Sequence, residues 1–200
     1  MSFADILDRW PSEVIRERIQ QATTHDVDRV LAKETLNEND LCVLLSDAAR
    51  QRLETMAQRA HKQTRRFFGR VIGLYAPIYI SNVCGADCVY CGYAVRSGSR
   101  LKRLTLKEPE IRQECEALKE RGFQHVLLLT GEAPSAVPVK AIAQAVAIAR
   151  EYFASVSVEV YALDEADYRQ LVDVGLEGVT LYMETYHRET YAVVHLKGKK

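Results

Sequence analysis

Cys84-Gly85-Ala86-Asp87-Cys88-Val89-Tyr90-Cys91 places three thiols close together, separated by three and then two intervening positions, directly behind the apolar run Val71 to Ile80. A short loop with this spacing can turn all three sulfurs toward one centre. Thiolate is a soft ligand that suits iron–sulfur clusters and zinc rather than hard cations. The count of three carries the information. A four-iron cube held by three cysteines keeps one iron open to another molecule, whereas structural zinc sites close with four ligands. Zinc completed by a histidine such as His125 is the competing reading.

With Tyr90 just before the last cysteine, this loop resembles that of the radical S-adenosylmethionine enzymes. Within that superfamily the chain is similar to the tyrosine lyases of thiamine biosynthesis. The closer match is carried by Tyr79-Ile80-Ser81-Asn82, Cys91-Gly92-Tyr93, Thr130-Gly131-Glu132, Glu184-Thr185-Tyr186-His187 and the final His195-Leu196-Lys197-Gly198-Lys199-Lys200. The resemblance implies a [4Fe-4S] cluster on Cys84, Cys88 and Cys91, with S-adenosyl-L-methionine chelated to the free iron. It also implies tyrosine as substrate, an external electron donor, and thiazole synthase as the partner receiving dehydroglycine once p-cresol is shed.

Composition sets wide limits. Two hundred residues with 48% hydrophobic content can bury one good core. Lysine plus arginine balance aspartate plus glutamate at 27 each, which gives no electrostatic argument for nucleic acid. No apolar stretch approaches the roughly 20 residues of a membrane span. The opening MSFADILDRW has neither a basic nor an apolar leader region, so the expected location is cytoplasmic. Five cysteines, three of them in one loop, make a poor disulfide framework. Cys42 and Cys115 read as core residues.

Residues 1–70 read as a helical extension. Val14, Ile15 and Ile19 give a first amphipathic stretch, Thr24 is placed to cap a helix holding Val27, Val30 and Leu31, and Asn39 to cap a short third one. Ser46 then opens a long helix that Gly69 closes. Its expected use is a lid or a docking surface. From residue 71 the texture becomes β then α: strands over Val71–Ile80 (with Pro77 suggesting an edge or a break), Phe123–Thr130, Ser155–Val160 and Gly178–Tyr182, with helices between them from Glu108, Pro138 and Asp164. The uniformly apolar Val126-Leu127-Leu128-Leu129 suggests a strand buried on both faces of a parallel sheet. The fold class expected is α/β, a partial (βα) barrel of about four units over 71–200.

In such barrels reactive groups collect at the carboxyl ends of the strands. The cysteines follow the first strand, Gly131-Glu132 the second, Glu159 ends the third and Glu184 the fourth. By resemblance, Glu132 accepts hydrogen bonds from the methionine amino group, Gly131 lets backbone approach the ligand, and Tyr90 lies beside the adenine. Glu159 is a candidate for the ribose hydroxyls and equally readable as a surface or capping residue. Glu184 is the weaker cofactor-binding candidate. Tyr182, Tyr186 and Tyr191 read as packing groups, and His187 and His195 as ordinary hydrogen-bonded histidines.

Two features depart from the pattern. Met183 stands where family members carry glutamine, and methionine cannot replace an amide's hydrogen bonds. The chain also reaches only about four units of an eight-unit barrel that needs about 250 residues, so a truncated portion of a longer enzyme is expected, without the second-half groups that bind tyrosine. The alternatives are a hydrogenase-maturation tyrosine lyase, a biotin-synthase-like enzyme, or a non-catalytic cluster-binding fragment.

Overall fold

The computed structural model describes residues 3–96, 98 and 100–198. The chain forms two compact units, Met1–Ile72 and Gly73–Lys200. The first contains helices α1 (Phe3–Asp8), α2 (Ser12–Gln21), α3 (Thr24–Leu31), α4 (Glu38–Leu44), a 3-10 segment (Asp47–Arg52) and α5 (Leu53–Phe68).

Three helix starts differ from the sequence expectation: Ser46 opens the 3-10 segment and the long α5 begins only at Leu53, while two caps are displaced by one and two residues. The cap of α3 is Thr23, not Thr24, and that of α4 is Asn37, not Asn39. The reason lies three residues on. Asp26 N–H donates to Thr23 Oγ1 (3.2 Å) while Thr23 N–H donates to Asp26 Oδ2 (3.0 Å). Asp40 and Asn37 make the same reciprocal pair at 3.1 and 3.0 Å. Each box satisfies two backbone donors at once, which a cap one position later could not do. The end of α3 is held by Arg59 of α5, whose guanidinium donates to the carbonyls of Val30, Leu31, Lys33 and Glu34 at 2.5–3.2 Å. A cation on orphan carbonyls also suits the negative end of the helix dipole. The long α5 closes at Gly69 with φ 64° as expected, yet it buries no residue and leaves Leu53 and Phe67 exposed.

The second unit is a parallel sheet in the order β1-β2-β3-β4, formed by β1 (Tyr75–Ser81), β2 (His125–Thr130), β3 (Ser155–Glu159) and β4 (Gly178–Thr180). Helices α6 (Glu108–Glu120), α7 (Val139–Arg150) and α8 (Glu165–Asp173) alternate with the strands, and α9 (Arg188–Val194) follows β4. β1 starts at Tyr75 rather than Val71, and Pro77 sits unbroken within it opposite Leu127. Its strand is an edge of this sheet, where a residue without an N–H is tolerated.

Ile78, Ile80, Val126, Leu128, Val156 and Val158 point to one face and pack with Ile111, Cys115, Ile142, Val146 and Leu171 in the main core. Each such side chain contributes about 1.5–3 kcal/mol through burial, so a one-residue slip of any strand would forfeit the set. The opposite face is not closed as the apolar run of β2 suggested. Leu127 and Leu129 are only half-buried, and Tyr75 and Tyr79 beside them are exposed. That face is the concave side of the βα arc.

Trp10 is the only tryptophan and lies in the first unit, so its fluorescence reports on that unit. Arg59→Met removes charge-assisted bonds to four carbonyls and is expected to cost about 1.5–3 kcal/mol, read as a lower urea midpoint for Trp10 fluorescence. An unchanged midpoint would show that Arg59 does not hold the end of α3.

Candidate active site

β1 delivers the chain to the carboxyl rim at Ser81, whose hydroxyl contacts Leu104 O (3.0 Å) and Thr105 Oγ1 (2.8 Å) and accepts from Val83 N–H (3.1 Å). From there the loop crosses the end of β2. Gly131 N–H donates to Ser81 O (3.2 Å) and Gly85 N–H to Glu132 O (2.8 Å). A Cβ on residue 131 would stand 2.3 Å from Val83 O and 2.7 Å from Cys84 Cβ. The close approach that requires this glycine is therefore made by the chain's own cysteine loop, where the sequence reading had assigned it to a ligand.

Beyond the crossing the loop turns on itself. Cys91 N–H donates to Cys88 O (3.0 Å), Ala94 N–H to Cys91 O (3.1 Å) and Val95 N–H to Ala86 O (2.9 Å). Buried Asp87 pairs with Arg96. The segment after α9 lies antiparallel along the loop: Val89 N–H donates to Val194 O (3.0 Å), Leu196 N–H to Asp87 O (2.8 Å) and Asp87 N–H to Lys197 O (2.8 Å). Lys199 and Lys200, the last residues of that motif, lie outside the described residues.

One cavity of about 270 Å³ receives what the sequence singled out. Its walls include Cys84, Cys88, Cys91, Tyr90, Gly131, Glu132, Glu159 and Glu184, together with Tyr79, Tyr93, Tyr161 and Tyr182. His125 opens β2 at the opposite rim, in a separate cavity with Gly73, Tyr75 and Ser155, so it cannot complete a site with the cysteines. His187 caps α9 by accepting from Thr190 N–H at 3.3 Å. Tyr186 is exposed.

His195, which the sequence reads as an ordinary hydrogen-bonded histidine, stands at the site itself. It is buried in the cavity wall, with Nδ1 3.4 Å from Cys88 Sγ and its ring stacked on Tyr191 at 4.9 Å. The available signal was its place in the C-terminal motif. One atom each from Cys88, Glu184 and His195 lies within 4.8 Å of the other two. Cys115, by contrast, is wholly buried in the core, and burial pushes its thiol up to about 11. Cys42 is buried as well.

Burial, above all, raises the Cys88 thiol, and the neighbouring Glu184, Cys91 and Cys84 add to this. Tyr90 is pushed well above the ordinary phenol range, first by burial and then by hydrogen bonds to Glu184 and Cys88. As a thiolate, the Cys88 sulfur would be repelled by the Glu184 carboxylate, and an iron–sulfur cluster on the cysteines would remove that conflict. Thr130 Oγ1, on the cavity wall, is buried and has no hydrogen-bond partner among the described residues, as expected where a polar ligand completes the site. The donor set fits a cluster with one position left for a chelating cofactor.

A family model described as the Radical SAM superfamily matches residues 78–200. The 2-iminoacetate synthase of Escherichia coli (strain K12) is 44% identical over 196 residues, which is 96% of this chain and 52% of that protein. Among solved structures, HydG, a maturase of the [FeFe]-hydrogenase, superposes with a TM-score of 0.87 at 28% identity, covering 96% of this chain and 45% of that one. Methylornithine synthase (PylB) gives 0.67 at 29% identity over 87% of this chain and 52% of its own. The chain thus spans about half the length of the curated relatives it matches.

Gly131→Ala is expected to displace the loop that crosses β2. The expected cost is about 1–3 kcal/mol, as for overpacking elsewhere, with faster alkylation of Cys84 in the metal-free protein, read by peptide mass spectrometry. Unaltered stability together with an unaltered Cys84 rate would contradict the contact.

Proposed function

The chain belongs to the Radical SAM superfamily, and from that premise we propose that it is a carbon–carbon lyase that cleaves tyrosine to 2-iminoacetate and p-cresol for thiazole formation. The observation that carries the reading is the gathering of three cysteine sulfurs and the acidic ends of three strands in one cavity at the carboxyl rim. Identity of 44% to the 2-iminoacetate synthase of Escherichia coli, against 28% to HydG, each over 96% of this chain, supports this activity over that of the hydrogenase maturase.

Cys84, Cys88 and Cys91 would hold a [4Fe-4S] cluster, and Glu132, Glu159 and Tyr90 would bind S-adenosyl-L-methionine against it. When bound, the cluster, reduced by an external electron donor, would supply one electron to the sulfonium and so allow hydrogen-atom abstraction from the substrate. The residues of the chain do the rest. Glu132 sits beside the loop, its backbone N–H 3.3 Å from Cys84 Sγ, and its carboxylate is the acceptor for the cofactor amino group. Glu159, at the end of β3, takes the ribose hydroxyls. Tyr90 offers its ring to the adenine while its hydroxyl engages Glu184. Tyr79 and Tyr93, edge to face at 5.7 Å, form an aromatic wall of the cavity. Thiazole synthase is the proposed recipient of the product.

Anaerobic reconstitution with iron and sulfide is expected to give a brown chain with about four irons and four sulfides, and with dithionite and S-adenosylmethionine to release 5′-deoxyadenosine. Replacing any of Cys84, Cys88 and Cys91 by alanine should abolish both. A colourless chain with stoichiometric zinc would contradict the proposal, and a stable cluster without any 5′-deoxyadenosine would reassign the chain to a non-catalytic role.

A further inference from the structure

Each of the three cysteine sulfurs faces a nitrogen. Glu132 N–H donates to Cys84 Sγ at 3.3 Å and Tyr93 N–H to Cys91 Sγ at 3.4 Å. The third, Cys88 Sγ, has His195 Nδ1 at 3.4 Å. Two of these nitrogens belong to the backbone, and no substitution other than proline removes their protons. The third is a side chain.

Backbone pairing places this imidazole. Residues 87–89 and 194–197 run antiparallel, with Cys88 opposite His195 in a β-bridge flanked by the bonds from Val89, Leu196 and Asp87. Tyr191, one helical turn earlier, stacks on the ring with 11° between the planes and fixes its rotation. On the far side Gly198, at φ 147°, lets the chain fold over the ring; a Cβ there would stand 2.2 Å from His195 Nε2. The imidazole is enclosed before any ligand arrives.

From this geometry we infer that His195 is a positioning residue that donates its Nδ1–H to the Cys88 thiolate and thereby sets the reduction potential of the cluster. A metal-bound thiolate only accepts, so the nitrogen facing it must carry the proton, and Nε2 is left as the acceptor. Hydrogen bonds to ligating sulfurs stabilise the reduced cluster, which carries more negative charge, over the oxidised one. Because the bridge around His195 is made of backbone bonds, exchange of the side chain leaves the loop clamped. The Tyr90 hydroxyl also reaches Cys88 and is shared with Glu184, so His195 is the side-chain donor at this sulfur without a competing carboxylate bond among those described.

This inference rests on the cluster assignment made above, and the experiment separates the two. The whole 200-residue chain is reconstituted as wild type, His195→Leu, His195→Gln and His195→Asn, and each is titrated with dithionite while the reduced cluster is followed by EPR. His195→Leu, which has no donor, is expected to shift the reduced-to-oxidised ratio at fixed potential about tenfold toward the oxidised cluster, equivalent to about 59 mV for one electron. His195→Gln, whose amide reaches past the Nδ1 position, should behave as His195→Leu does and serves if that variant folds poorly. His195→Asn, whose amide nitrogen falls near Nδ1, should restore the wild-type value. Equal potentials across variants that all hold the cluster would overturn the inference while leaving the cluster assignment intact. Nitrogen hyperfine coupling typical of a directly bound imidazole would overturn it by making His195 a ligand. A wild-type chain that takes up no cluster removes both.

Discussion

The cysteine loop can cross the end of β2 only because residue 131 has no side chain. Val83 O and Cys84 Cβ occupy the space that a Cβ would need. Everything at the rim follows from that crossing. It brings Gly85 N–H onto Glu132 O and Glu132 N–H onto Cys84 Sγ, so the first sulfur and the first acidic side chain are placed by the same few backbone bonds. A loop diverted around a larger residue would separate the two groups that the proposed chemistry needs side by side. A rigid strand end is a better support for such a pair than a free loop, since both positions inherit the order of the sheet.

The architecture divides its labour between the two faces of that sheet. Alternate residues of β1, β2 and β3 are spent on the helix-covered core, where Leu128, Val156 and Val158 are wholly buried. The intervening positions, Tyr79, Leu129 and Glu159, face the concave side and line the cavity at its carboxyl end. Period-two alternation thus supplies stability and function from the same strands. The second closure of the site comes from far along the chain, where residues 194–197 lie along the cysteine loop and bring His195 to the Cys88 sulfur. The rim is therefore held from both ends of the βα unit.

Much of this was legible in the sequence because the signals were local. Cys-x3-Cys-x2-Cys, Gly122 and Gly175 after their helices, and glutamates after apolar runs each declare themselves within a few residues, and the βα alternation orders them onto one rim. The helix starts at Thr23 and Asn37 were also written there. In Thr23-Thr24 and Asn37-Glu38-Asn39 several caps compete, and the aspartate three residues after the true one decides. The half-open face of β2 was not legible, since a run of leucines looks the same whether one face or both are covered. Nor was the difference between His187 and His195. Both stand in the same motif-rich end of the chain, but one turns back to cap its own helix while the other is carried across to Cys88 by pairing with residues about a hundred positions earlier. Contacts of that range leave no local pattern.

The central claim is that three sulfurs at this rim leave one iron open and that the adjacent glutamates hold S-adenosylmethionine on it. Its most direct test is the EPR spectrum of the reduced, reconstituted chain before and after S-adenosylmethionine is added. The account predicts a low-spin cluster signal whose g-values shift on addition. A spectrum unchanged at saturating S-adenosylmethionine would contradict it, since a cofactor that binds the open iron cannot leave the electronic structure of the cluster untouched.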